Sequence, residues 1–445
     1  MSYSASEEVF TMLINFKFTN YRSFKNESNL SMKATGLSDF KNTLLSYKNT
    51  DILPAVAIYG KNGAGKSNVI RAFWLAVQFI KNAQRTQHEN APIPLTPFLL
   101  DDYSLNNPTL FEFTYIVEGI KYIYGFSANN QYILSEYLYH APKGQKATIF
   151  TREKQVFKFP ENSEKKLKDL ISDAVAPNQL FFSIACTMNY KPCILAMKWF
   201  REKISFSRFF TDIPKQLIEY SNNTNMLNSI VSYAKQADVG INDMSFEFSN
   251  KTINSLTDLP SDIPEGIKMA LSSFLDAHSA SPNTSENSIS AHEIKTKSFH
   301  SGISKNGEIE SYALELADES DGTRKLMALA PAIEQVLNNG GVLLVDEIEK
   351  EMHPMLVEFI LSKFQSPLTN KANAQLIFTT HNTELMNMEI IRKDQIYFTD
   401  KDNKTGSSEL YNLTEFSPPT NANIRKSYLL GKYGAIPNVD ISEVL

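Results

Sequence analysis

The sequence predicts an α/β protein organised around a phosphate-binding strand–loop–helix unit, on three observations. Ala55-Val56-Ala57-Ile58-Tyr59 is an apolar run of buried-strand length that leads directly into Gly60-Lys61-Asn62-Gly63-Ala64-Gly65-Lys66-Ser67. That octet fits G-x-x-x-x-G-K-[ST], and Val69, Ile70, Phe73, Trp74, Val77 and Ile80 recur behind it at helical spacing. Far downstream two more apolar strands end in reactive side chains: Gly341 to Val345 runs into Asp346-Glu347, and Gln375 to Thr380 runs into His381.

The chemistry explains these patterns. Backbone N–H groups of a glycine-rich loop can turn inward onto phosphate oxygens, and the following helix aims its positive end at the same place. Gly60, Asn62, Gly63, Gly65, Lys66, Ser67 and Asn68 are therefore the candidate ATP-binding residues. Lys66 would reach the β- and γ-phosphates, and the Ser67 hydroxyl would ligate Mg2+. The Asp-Glu strand is expected buried beside the phosphate-loop strand, with Asp346 on Mg2+ and Glu347 polarising the attacking water. The bland alternative is that these carboxylates only cap the next helix. His381, at a strand's C-terminal edge, can hydrogen-bond the γ-phosphate or the water. Glu319-Ser-Asp-Gly-Thr-Arg-Lys325 precedes a helix periodic at Leu326, Leu329, Ile333, Val336 and Leu337. Ser320 or Asp321 can cap it, and a Ser-x-Gly turn at a helix start is a second anion site.

Composition narrows the field. A chain of 445 residues has room for two or three lobes, and a net charge of -5 gives no reason to expect nucleic acid along its whole surface. The two cysteines, Cys186 and Cys193, lie in an apolar segment and read as buried free thiols in a reducing cytosol. There is no eighteen-residue apolar run, so no membrane partner is expected. The N-terminus lacks a cleavable basic–apolar pattern, which points to a cytoplasmic protein.

Four regions follow from the patterning. Residues 1–11 read as a flexible extension, with the fold starting near Met12, itself a candidate start codon. Residues 12–160 form an N-terminal lobe: alternation at Met12–Phe18 and Ser28–Lys33 predicts a hairpin, residues 66–82 a helix, and Leu110–Val117, Lys121–Ser127 and Tyr132–Tyr139 antiparallel strands, with two more over Thr148–Phe159. Residues 161–292 read as a helical insertion, with helices at Lys165–Ala174, Leu195–Ile204, Pro214–Ala234 and Pro264–Ala277, a strand at Ile241–Phe248, and a mobile loop near 278–290. Residues 293–445 return to strands at Ile294–Phe299 and Glu308–Leu316, then carry the downstream motifs, a helix after His381, and strands near residues 395–399 and 409–413.

The order glycine loop, S-D-G-T helix, L-L-V-D-E and T-T-H resembles the ABC-type ATPase heads of Rad50, SMC and RecF. That resemblance implies an ATPase head with an antiparallel β subdomain, in which Ser320 and Gly322 form the signature turn and bind the γ-phosphate of a second copy. The segment reads E-S-D-G-T where those proteins have L-S-G-G-Q. Gln179 is the candidate for their Mg-sensing glutamine. A narrower resemblance covers nearly the whole chain. M-L-I-N-F-K-F-T-N-Y-R-S-F, A-I-Y-G-K-N-G-A-G-K-S-N, L-V-D-E-I-E-K-E-M-H-P, F-T-T-H-N-T-E-L and Y-L-L-G-K-Y-G-A-I-P resemble the bacterial AAA15/AAA21 family, including ATPases of AbiL- or RloA-like abortive-infection systems. It implies ATP and Mg2+ as cofactors, an ATP-dependent homodimer or higher oligomer, a phage-derived trigger, and a separately encoded effector such as a TOPRIM-type or HNH nuclease.

Residues 382–445 are too few for a nuclease domain of their own. Glu349 and Glu351 are expected as solvated charges, and His353-Pro354 as the start of the next helix. A second reading, a RecF- or SMC-like clamp on DNA, would draw its phosphate contacts from Lys and Arg of the insertion.

Overall fold

The computed structural model describes residues 11–86, 91–160, 164–207, 217–238, 240–253, 289–386, 390–419 and 421–437. It divides into two compact units, Met1–Phe209 with Ala332–Leu445, and Phe210–Pro331.

The first unit opens with β1 (Met12–Thr19) and β2 (Ser28–Ser31), the antiparallel hairpin that the alternation predicts, and the small pair β3 (Leu45–Tyr47) and β4 (Thr50–Ile52). β5 (Ala55–Tyr59) carries the phosphate loop into α1 (Lys66–Thr86). After the short α2 (Asp102–Leu105), a meander follows: β6 (Thr109–Val117), β7 (Ile120–Ala128), β8 (Ile133–Ala141), β9 (Ala147–Glu153) and β10 (Val156–Lys158). With the hairpin it makes an antiparallel sheet of order β10-β9-β8-β7-β6-β1-β2. Next come α3 (Lys165–Ala174), α4 (Phe181–Thr187), α5 (Lys191–Glu202) and β11 (Ile204–Phe206).

The second unit holds α6 (Thr224–Ala237) and a three-stranded antiparallel sheet, β12 (Ile241–Ile253), β13 (Ile289–Ile303) and β14 (Ile309–Glu315). β12 and β13 are longer than the alternation suggests, because ladder pairing from Ile241↔His300 to Ile253↔Ile289 extends order past the apolar positions, whereas β14 is one residue shorter at each end than Glu308–Leu316. The helix expected at Pro264–Ala277 lies outside the described residues, as does the loop near 278–290 except its last two residues, which begin β13. α7 (Asp321–Asn339) starts here, and the unit boundary falls at Pro331 inside it, where the missing N–H removes one helical hydrogen bond.

Back in the first unit stand β15 (Gly341–Val345), α8 (Pro354–Gln365), β16 (Ala374–Thr379), β17 (Ile396–Lys401), β18 (Ser408–Asn412) and α9 (Ile424–Leu429). They complete a second sheet, β11-β15-β16-β5-β17-β18, parallel except for its last pair. Three expectations are corrected. The Asp-Glu strand does not lie beside the phosphate-loop strand: β16 sits between them, paired with both. All three strands are buried apolar runs, and a run buried on both faces does not declare its neighbours. Ile204, read as a helix end, begins β11. After His381 the chain makes a single 3-10 turn over Thr383–Met386 before the described residues break off.

The core joins both sheets to α1. Val69, Ile70, Phe73, Val77 and Ile80 are buried, each burial contributing roughly 1.5–3 kcal/mol. Phe73 meets Phe16 at 4.8 Å and Phe113 at 5.1 Å between ring centroids. Gln375, fully buried on β16, ties the sheets together by hydrogen bonds. Its Oε1 accepts the Leu13 N–H at 2.6 Å, and its Nε2 donates to the Leu13 and Leu53 carbonyls at 3.0 and 3.3 Å.

Candidate functional site

The phosphate loop leaves β5 at its C-terminal edge. Gly60 must be glycine, since a Cβ there would stand 2.4 Å from the Thr399 carbonyl oxygen. Gly65 holds φ +111°, and a Cβ would crowd Ser408 Oγ at 2.9 Å and Ser23 Oγ at 3.0 Å. Lys66 is buried and donates to the carbonyls of Gly60 at 2.8 Å and Lys61 at 3.2 Å, so the loop is curled around its own ammonium. Burial pulls the Lys66 ammonium down to about 8, with the charges of Glu349, Glu347 and Asp346 opposing. Asn62 and Gly63 are exposed at the loop tip, while Asn68 donates to Ser23 Oγ at 2.9 Å.

The downstream strands bring their ends to this loop. Ser67 Oγ donates to Asp346 Oδ1 at 3.0 Å, joining residues 279 positions apart. Thr379 Oγ1 donates to the same oxygen at 2.7 Å and accepts the Glu347 N–H at 2.7 Å. Glu347 is exposed and holds φ +52°, a left-handed conformation that costs a non-glycine residue on the order of 1 kcal/mol. His381 lies one strand over. Loss of hydration, then the nearby Lys66 ammonium, hold its imidazole below the usual histidine range. Asp346, Glu347, His381 and Lys66 thus stand within one electrostatic neighbourhood.

Two residues here escaped the sequence reading. Thr379 was visible only as part of an apolar strand. Glu349, expected as a solvated charge, is half-buried: its Oε1 accepts the His381 N–H at 2.5 Å, and its Oε2 is buried. The turn after Val345 folds it inward, whereas Glu351 stays exposed. Gln179 is held in its own turn, Oε1 accepting the Ala176 N–H at 3.1 Å and the carbonyl accepting Arg152.

In the second unit, Ser320 Oγ accepts the Thr323 N–H at 3.1 Å, so of the two cap candidates Ser320 starts α7, and it is solvent-exposed. Gly322 lies in the first helical turn. Glu319, which stands where the signature pattern has leucine, is buried against Ser298 and accepts from His300 at 2.8 Å. His353 caps α8, its Nδ1 accepting the Met355 N–H at 3.3 Å, with Pro354 in the first turn.

The donors suit Mg2+. A hydroxyl and a carboxylate oxygen 3.0 Å apart are hard ligands, and Ser67 and Asp346 would hold the ion, which would neutralise phosphate charge there. Among the described residues no group of three or more His, Cys, Asp or Glu could hold a metal, and none of their helices is long and apolar enough to cross a membrane.

A phosphate loop at the C-terminal edge of a parallel strand, with a hydroxyl–carboxylate pair and a histidine turn beside it, defines an ATPase of the phosphate-loop class. A family model described as "AAA domain, putative AbiEii toxin, Type IV TA system" (AAA_21) matches residues 55–387, and the chain belongs to this family. It is similar to the protein named "Retron Vc95 probable ATPase" of Vibrio cholerae serotype O1 biovar El Tor, 22% identical over 393 residues, 80% of this chain and 71% of that protein. Among solved structures it is similar to the SMC head domain from Thermotoga maritima, at 14% identity and TM-score 0.37 over 90% of this chain and 98% of that one. It is also similar to the recombination mediator RecF with ATP, at 14% identity and TM-score 0.36 over 92% of this chain and 100% of that one.

Proposed function

We propose that this chain is the ATP-driven switch of a bacterial anti-phage system. ATP and Mg2+ bind at the phosphate loop of one copy, and Ser320 and Gly322 of a second copy complete the site. Glu347 polarises the attacking water and His381 orients it or the γ-phosphate. Turnover, or a phage-derived trigger, then releases or activates a separately encoded effector of the nuclease kind.

The observation that carries this reading is the convergence on Lys66 and Ser67 of Asp346, Glu347 and His381 from two other strands. An exposed Ser320 at a capped helix start supports completion in trans. The resemblance to abortive-infection ATPases and a relative named as a retron ATPase support the defence setting. Glu347→Gln should retain Mg·ATP while losing water activation, and so accumulate as an ATP-bound dimer. Light scattering that found this variant monomeric with ATP, alongside wild-type turnover, would refute the assignment.

A further inference from the structure

The Glu349 carboxylate spans two segments that the chemistry needs in register. The turn after β15 is stitched to the end of β16 by Glu347 N–H to Thr379 Oγ1 at 2.7 Å and Ile348 N–H to the Thr379 carbonyl at 3.1 Å. Beyond Thr379, the side chain of Glu349 continues the seam by accepting the His381 N–H at 2.5 Å. We propose that Glu349 is a positioning residue for hydrolysis: by holding the His381 backbone against the carboxylate turn, it fixes where the imidazole stands relative to the phosphate loop.

The cost of the arrangement argues for function over packing. Among the described residues Glu349 Oε2 is buried with no hydrogen-bond partner, and so are Asn382 Nδ2 in the next residue of the same turn and Tyr59 Oη at the end of β5. Each such atom forfeits its hydration, at roughly 1–3 kcal/mol. A fold that needed only a spacer here would be more stable with an apolar side chain, and buried polar atoms left without partners cluster where a site demands them. The charge is also well placed. Among the carboxylates acting on Lys66 the largest influence is Glu349's, ahead of Glu347 and Asp346, and Glu349 is likewise the first charge acting on the Tyr59 hydroxyl. One side chain therefore holds the histidine turn by a hydrogen bond and also acts electrostatically on the cation of the phosphate loop.

This inference rests on the ATPase reading, and the experiment separates the two. Steady-state ATP hydrolysis, calorimetric Mg·ATP affinity and thermal melting are measured for the wild type, Glu349→Ala, Glu349→Gln, His381→Ala and the Glu349→Ala/His381→Ala double variant. Glu349→Ala should lower kcat about tenfold or more while Mg·ATP affinity stays within about threefold. Glu349→Gln keeps an accepting oxygen and should recover most of the rate. Because Glu349 acts through His381, the double variant should be no slower than His381→Ala alone. Wild-type turnover in Glu349→Ala, multiplicative losses in the double variant, or a glutamine variant as slow as the alanine one would each overturn the proposal. If Glu349→Ala does not fold, Glu349→Leu, which fills the space without an acceptor, takes its place: it should lose rate about tenfold with Mg·ATP affinity kept, and wild-type turnover in it would overturn the proposal. A wild-type protein that gave no heat with Mg·ATP would sink the ATPase reading itself.

Discussion

Replacing Glu136 with alanine tests how far the phosphate-loop helix depends on a charge buried far from it. Glu136 on β8 is wholly buried and accepts four hydrogen bonds: from Tyr124 Oη at 3.0 Å, from Arg152 at 3.3 Å, and from the backbone N–H groups of Phe181 and Phe182 at 2.8 and 2.9 Å. The last two are N-terminal donors of α4 that have no acceptor within the helix, whose own N-cap position, Leu180, offers no side-chain acceptor. α4 in turn packs on α1, with Ser183 Oγ donating to the Ile80 carbonyl at 2.7 Å. Alanine would leave the Arg152 guanidinium, also fully buried, without its counter-charge. Breaking a buried pair from one side costs about 3–5 kcal/mol, and the two stranded N–H groups keep the loss at the upper end of that range. Urea unfolding of Glu136→Ala should show this loss, and Glu136→Gln, which retains an acceptor, a smaller one. A loss under about 1 kcal/mol in the alanine variant would refute the reasoning. The pH dependence has a definite sign. Burial pushes the Glu136 carboxyl up, so between its unfolded and folded pKa values the native state binds more protons, and this group's contribution to stability falls as pH rises through that window.

Gln375→Leu keeps the volume but strands the Leu13 N–H and the Leu13 and Leu53 carbonyls between the two sheets; chemical denaturation should show a loss of about 2 kcal/mol or more. Lys66 titrates near 8 without nucleotide, and a bound triphosphate favours its charged form. Mg·ATP affinity measured by calorimetry should therefore hold below pH 8 and fall by up to about tenfold per pH unit above it; Lys66→Ala should bind weakly at every pH.

Much of this protein was legible in its sequence wherever a local rule fixes local geometry. The glycine loop, the helix behind it, the hairpin at β1–β2, the meander from β6 to β10, the Ser320 cap and Pro354 at the start of α8 all follow from periodicity, turn chemistry and capping, which act within a few residues. Three features were decided only by tertiary structure. The place of β16 between β5 and β15 is a choice among equivalent buried strands, on which composition is silent. α4 escaped because its cap is Glu136, 45 residues upstream in sequence. Glu349 passed for a surface charge because its partner is a backbone N–H that carries no sequence signal. Sequence set which segments carry the chemistry, since each is a local pattern; the fold set which side chains meet, since a hydrogen bond across 279 or 32 residues depends on the path of the chain between them.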